Sequence, residues 1–265
     1  MTVLAAIDLG PFSERVLRHA AGFARLLQAQ LKVLHVTADP APGDHTHLME
    51  FLSARGPYEV DLTDDDVLVK SGRVSDVIYR EAEKLNAALI VIGSRGHGGL
   101  VRLVLGSTSE AVLRNAPAPV LLVPPIDLDI VNITDRATLS SGPVLAAVDL
   151  GESNGRQMEM AAAMARLSGQ PLLLMTVAAS KIDDHQAGAL LRERAHQLAG
   201  VKPRAMIVRR GRVAEEISRC AMAEGVGLVV MGLRERARGK PGLVASAVLE
   251  TKRAFVLAVP GTSEL

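Results

Sequence analysis

The chain repeats itself at about half its length. Leu4-Ala5-Ala6-Ile7-Asp8-Leu9-Gly10 returns almost unchanged as Leu145-Ala146-Ala147-Val148-Asp149-Leu150-Gly151. Val69-Lys70-Ser71-Gly72-Arg73-Val74 returns as Val208-Arg209-Arg210-Gly211-Arg212-Val213, and Leu89-Ile90-Val91-Ile92-Gly93 as Leu228-Val229-Val230-Met231-Gly232. Near the end of each copy, Ala111-Val112-Leu113 followed by Pro119 to Pro124 returns as Ala247-Val248-Leu249 followed by Phe255 to Pro260. The period, close to 140 residues, is far longer than the 20–45 residues of a solenoid unit. Each copy is therefore read as a complete domain, 1–124 and 143–265, joined by a linker over 125–142.

Within a copy, short β-branched runs alternate with helix-period segments, the pattern of βαβ units around a parallel sheet. In the first copy the spacing predicts strands near 3–8, 31–36, 66–70, 88–93 and 120–123, and helices near 13–28, 74–86 and 107–115. Continuous apolar runs such as Leu89-Ile90-Val91-Ile92 suit strands covered by helices on both faces. The fold class that follows is α/β: two tandem doubly wound, Rossmann-like domains, each on a five-stranded parallel sheet. The stretch from Ala38 to Asp65, rich in Pro, Gly, Asp and His, reads as a surface crossover or lid with one brief helical candidate at His47–Ala54.

Composition narrows the partners. With a formal net charge of +1, no Trp, two Tyr and four Phe, the chain offers neither a strong cationic footprint nor a set of stacking aromatics, so nucleic-acid binding is disfavoured. Its apolar runs fall far short of the roughly 20 residues of a membrane helix. Met1 leads straight into the strand-like Val3-Leu4-Ala5-Ala6-Ile7 with no basic leader, so a cytoplasmic location is expected. The one cysteine, Cys220, excludes an internal disulfide framework and reads as a buried helix residue.

The chemistry-bearing stretch is Gly93-Ser94-Arg95-Gly96-His97-Gly98-Gly99, then Leu100 to Leu105, then Gly106-Ser107-Thr108-Ser109. It runs from a strand end to a helix start, and in open α/β sheets ligands bind at the carboxyl ends of strands. Gly93 and Gly96 are expected to let the backbone turn sharply and approach phosphates. Gly106 and Ser107 open the next helix, whose N–H groups and positive dipole end favour anions.

At this point the chain resembles the universal stress protein family, whose ATP-binding members carry G-x2-G-x9-G-[S/T] between the fourth strand and the last helix. Gly93, Gly96, Gly106 and Ser107 satisfy that spacing, and the resemblance covers both copies, including Asp8 at the end of the first strand and a last strand ending in Val-Pro. It implies the family's fold, related to the adenine nucleotide alpha-hydrolases, and a site for ATP, AMP or ADP. Asp8 would help hold the ribose or a Mg2+ ion. Ile7, Val36 and Ile92 would flank adenine. Gly93, Arg95, Gly96, Gly106, Ser107, Thr108 and Ser109 would form the phosphate and ribose cradle. The resemblance also implies that the last strands, Val120–Val123 and Val256–Val259, pair within one chain, and that the protein forms a homodimer.

The second copy departs from the motif. Gly232 matches Gly93 and Gly242 matches Gly106, but Glu235 stands in place of Gly96, Leu243 replaces Ser107, and the loop is three residues shorter. A carboxylate opposes a triphosphate and leucine removes a hydroxyl donor, so no ATP is expected there. Arg234, Arg236, Arg238 and Lys240 read as a solvated basic loop. Asp44, His45 and His47 read as a solvated loop, and Asp64-Asp65-Asp66 as a charged strand entry.

Three functions remain open. The first is a stress-response regulator that binds adenine nucleotide in copy one and hydrolyses it slowly at most, since no P-loop lysine follows a strand. The second is a nucleotide-free scaffold. The third is an adenylating enzyme, disfavoured because Asp8-Leu9-Gly10-Pro11-Phe12-Ser13 lacks the Ser-Gly-Gly-x-Asp-Ser loop such enzymes carry.

Overall fold

A computed structural model of the protein describes residues 1–39, 41–54, 62–94, 105–125, 129–132, 138–139, 142–151, 155–198, 200–233 and 242–261. Two compact units emerge, Met1–Thr138 and Leu139–Leu265. Unit 1 runs β1 (Thr2–Ile7), α1 (Ser13–Leu26), β2 (Gln30–Thr37), α2 (Asp44–Ala54), β3 (Val67–Ser71), α3 (Val74–Lys84), β4 (Ala87–Gly93), α4 (Ser107–Asn115) and β5 (Val120–Val123). Two-residue strands β6 (Val131–Asn132) and β7 (Thr138–Leu139) follow. Unit 2 runs β8 (Val144–Ala147), α5 (Gly155–Ser168), β9 (Leu172–Val177), α6 (Asp184–His196), β10 (Ala205–Arg209), α7 (Val213–Ala223), β11 (Leu228–Leu233), α8 (Leu243–Glu250) and β12 (Phe255–Pro260).

In unit 1 every ladder is parallel and the order is β5-β4-β1-β2-β3. β1 carries the core: Val3, Leu4 and Ala5 are fully buried, as are Val33 and Leu34 on β2 and Ile90 and Val91 on β4. Burying each large aliphatic side chain stabilises by about 1.5–3 kcal/mol. Because crossovers are right-handed, the helices before the reversal in strand order and those after it lie on opposite faces. α3 packs on α4, while α1 covers β1, β2 and β4. α1 buries Val16, Leu17, Ala20, Ala21, Phe23 and Ala24, an i, i+3, i+4 stripe. It stops where Gln28 turns left-handed at φ +50°.

Unit 2 repeats the arrangement in the order β12-β11-β8-β9-β10. Leu145, Leu173, Leu174, Val229 and Val230 are fully buried, and α7 packs on α8. Gly72 and Gly211, at φ +129° and +133°, make the same left-handed step from β3 into α3 and from β10 into α7, which a side chain would strain.

Two local readings change. The helix near residue 47 begins earlier, at Asp44. His45 and His47 are therefore on a helix rather than a loop, and two-residue spacing points them to different sides. Asp64–Asp66 forms a 3-10 turn in which Asp66 Oδ2 accepts from Thr63 N at 3.0 Å and from Thr63 Oγ1 at 2.6 Å. Among the described residues no helix is long and apolar enough to cross a membrane.

Candidate functional site

Unit 1 places β2 and β3 on one side of β1 and β4 and β5 on the other, so the connections leaving β1 and β4 diverge and open a crevice at the carboxyl edge. Ala6 pairs with Ile92 and Ile7 with His35, which brings the ends of β1, β2 and β4 to that edge. The expected residues Ile7, Asp8, Val36, Ile92 and Gly93 all lie there.

β1 stops one residue earlier than its pattern suggested, and Asp8 opens a tight turn instead of ending the strand. Its Oδ1 accepts from Gly10 N at 3.0 Å and from Ser13 Oγ at 2.9 Å. Leu9 between them is left-handed at φ +60°, an uncommon state for a branched residue. Ser13, the first residue of α1, is 2% exposed. Asp8 is itself exposed, just past the end of β1, while its carboxylate shapes the turn. Ile7 and Ile92 are buried and Val36 is half-buried. His35 Nδ1 lies 3.0 Å from the Ile7 carbonyl. A carbonyl only accepts, so Nδ1 carries the proton and Nε2 is an acceptor in the neutral ring.

On the other side of the crevice the chain leaves β4 at Gly93 and returns at Gly106. Ser94 N donates to Val123 O at 2.9 Å, and Gly106 N donates to Ser94 O at 2.9 Å, so the two ends of the excursion are tied together. Ser109 Oγ donates to Gly93 O at 2.8 Å. Gly106 is the N-cap of α4, with φ −67°, ψ 151° and no side-chain cap. Neither Gly93 nor Gly106 adopts positive φ, so the sharp turn expected at Gly93 is not made by that residue. What Gly106 contributes is the absence of a side chain where α4 presents its first N–H groups. Ser107 and Thr108 are exposed on that first turn, and Ser109 is buried. Arg95 and Gly96 lie outside the described residues, as does His97.

The motif did not single out Ser13, His35 or Ser94, which hold the Asp8 turn, the β1 end and the loop base. Only their positions next to strand ends hinted at them. Among the described residues no three His, Cys, Asp or Glu side chains cluster as a metal site. A Mg2+ ion at Asp8 would therefore rely on phosphate and water oxygens for most of its shell.

Unit 2 differs at the same place. The turn survives, with Gly151 N donating to Asp149 Oδ1 at 2.9 Å. Gln157, 4% exposed on α5, sends Nε2 to Ala147 O at 2.7 Å and Val230 O at 3.0 Å, bridging β8 and β11. Val16 holds the matching position in unit 1. A Cβ on Gly232 would meet Gln157 Oε1 at 3.1 Å. Gly242 caps α8 at φ +102°, where the backbone itself requires glycine, and Leu243 after it is 61% exposed. Arg210 donates to Asp184 Oδ1 at 2.7 Å and to Ile182 O at 2.5 Å, fastening the loop after β9. Arg234, Glu235, Arg236, Arg238 and Lys240 lie outside the described residues.

Comparison with known proteins agrees with this fold. Residues 1–124 match the model of the universal stress protein family. A universal stress protein A homolog of Coxiella burnetii is 37% identical over 136 residues, which is 46% of this chain and 94% of that protein. A universal stress protein of Thermus aquaticus is 32% identical over 46% of this chain and 97% of its own length. Whole relatives thus correspond to about half of this chain. The crystal structure of a universal stress protein from Archaeoglobus fulgidus covers 98% of both chains with a TM-score of 0.68 at 20% identity, a likeness of fold across both units. The chain belongs to the universal stress protein family, as a member with two of its domains in tandem.

Proposed function

We propose that unit 1 binds an adenine nucleotide, ATP, ADP or AMP, and that occupancy makes the protein a nucleotide-dependent regulator in the stress response. The observation that carries this reading is Gly106: its backbone is ordinary for any residue, yet it leaves the N-terminus of α4 without a side-chain cap at the switch-point crevice. A phosphate is the natural partner of such N–H groups. In this reading Ile7, Val36 and Ile92 flank the base, Asp8 takes the ribose or a Mg2+ ion, and Gly93, Arg95, Gly96, Gly106, Ser107, Thr108 and Ser109 line the phosphates. Hydrolysis is slow at most in this reading, since the sequence has no P-loop lysine after a strand. Unit 2, where Glu235 stands in place of Gly96 and Leu243 in place of Ser107, takes no nucleotide.

In its own unit β5 has only β4 beside it and β12 only β11. Apolar edge strands invite association, which supports pairing of Val120–Val123 with Val256–Val259 inside the chain; the reading also includes the homodimer and the cytoplasmic setting expected from the sequence. The test is calorimetry with Mg-ATP on the parent and on Gly106→Glu, with circular dichroism as the check on folding. One nucleotide per chain, lost in the folded variant, is the expected result. No binding by the parent leaves the nucleotide-free scaffold.

A further inference from the structure

Helix α1 is held at two places. At its start, Ser13 Oγ and the preceding Gly10 N share Asp8 Oδ1. Its Arg15–His19 face is held by chain that follows unit 1's last strand. Arg18 Nη1 meets Asp129 Oδ2 at 3.1 Å, and Arg15 Nη1 lies 3.7 Å from Asp129 Oδ1. His19, 1% exposed, turns Nδ1 back to the Arg15 carbonyl at 2.8 Å and receives the Ile130 amide on Nε2 at 3.4 Å. Ile130 is 2% exposed. A segment expected to be a plain linker thus has a built seat on α1, made of two guanidinium groups, a buried imidazole and a covered aliphatic side chain.

The two attachments share one rigid element and nearly one turn of it. The Arg15 carbonyl that orients His19 is two residues beyond Ser13, inside the first turn that the Asp8 carboxylate steadies. We propose that α1 couples the nucleotide crevice of unit 1 to the Asp129–Ile130 seat, so that nucleotide at Asp8 loosens the connector and release of the connector tightens nucleotide binding. This regulation rests on the proposed nucleotide site. The sign follows from the hydrogen bonds. Gly10 N and Ser13 Oγ both bond Oδ1, so a ribose hydroxyl or hydrated cation that engages the carboxylate draws negative charge off that oxygen, weakens both bonds, and lets the first turn relax and carry the Arg15 carbonyl and His19 ring with it. Coupling between two sites is reciprocal, so each attachment must weaken the other by the same factor.

The test uses the full chain and two readouts: the dissociation constant for Mg-ATP, and hydrogen exchange at the Ile130 amide with and without saturating nucleotide. Asp129→Ala breaks the seat at a half-exposed residue and leaves the crevice residues in place. Arg18→Gln, which removes the shorter of the two Asp129 ion pairs together with the Arg18–Glu14 pair within α1, covers the case in which the first variant folds poorly. The expected result is exchange at Ile130 about five-fold faster with nucleotide, and binding about five-fold tighter in Asp129→Ala and in the same direction in Arg18→Gln. Nucleotide binding with unchanged Ile130 exchange, with unchanged affinity in both variants, or with coupling of the opposite sign overturns the proposal and leaves the nucleotide site standing. No binding by the parent removes both.

Discussion

The hydroxyl of Ser109 donates to the carbonyl of Gly93 across 2.8 Å, so the first turn of α4 holds the last residue of β4. In unit 2 the matching residue, Ala245, is fully buried and has no donor to offer. Ser109→Ala is expected to lower the stability of unit 1 by about 1 kcal/mol and to weaken Mg-ATP binding, since the base of the phosphate loop is freed. Urea midpoints and calorimetry on the same preparation measure both. An affinity unchanged beside a clear loss of stability would separate Ser109 from the site.

Gln157 gives unit 2 an opposite test. Gln157→Leu keeps the volume but removes the donor from the carbonyls of Ala147 and Val230, and a loss of about 1–3 kcal/mol is expected. Gly232→Ala should destabilise the parent, because the new methyl group meets a carboxamide that two hydrogen bonds hold in place, and should cost far less in a Gln157→Ala background. A double-mutant cycle by urea unfolding reads this coupling. Additive losses would mean that the two residues do not meet.

His19 makes stability depend on pH. Burial pushes its imidazole from the ordinary 6.5 down to about 4, against the favourable pull of the Arg15 carbonyl and Asp129 and with the help of the Arg15 and Arg18 charges. Between pH 6.5 and 4 the unfolded chain takes up a proton that the folded chain refuses, so stability rises with pH through this window. The contribution is complete above pH 6.5 and amounts to roughly 3 kcal/mol relative to pH 4. Urea unfolding at pH 4.5 and 7 should show this slope in the parent and a flatter one in His19→Gln.

Asp66 acts at lower pH. Burial raises its pKa, but donation from the Thr63 hydroxyl and amide and the nearby Lys32 ammonium outweigh it and bring the carboxyl from 3.8 to about 2. Gln30 Nε2 adds a bond of 2.7 Å and Lys32 Nζ an ion pair of 3.0 Å. The carboxylate's folded pKa is depressed, so its stabilisation is present above pH 3.8 and is lost as pH falls toward 2. Asp66→Asn is expected to cost about 1–3 kcal/mol at pH 7 and little at pH 2. Thermal melts across that range measure the difference.

The repeat and the alternation of apolar runs with helix-period segments made the two α/β domains legible, because parallel strands buried on both faces leave a plain hydrophobic signature. Strand ends were less legible. Asp8 reads as part of β1 by composition, yet its own side chain caps the turn that stops the strand. Gly93 and Gly106 were legible as a motif, whereas what Gly106 does is visible only in the missing side-chain cap of α4, since its φ suits any residue. Gln157 and the Asp129–Ile130 seat left no mark, since each depends on contacts between residues far apart in the chain. A lone Gln on a helix or an Asp-Ile pair in a connector carries no periodicity.

The strand order that opens the crevice also sets a schedule for synthesis. β1 is central in its sheet, and the neighbour on one of its sides, β4, ends only at Gly93. At ~5–20 residues per second, the ribosome needs several seconds after Ile7 to deliver that neighbour. Throughout that interval the central strand of the nascent domain has one flank unpaired. Unit 1 therefore matures late, when β4 docks on β1 and β5 then follows onto β4, and a molecular chaperone that shields strand flanks has its longest opening before that.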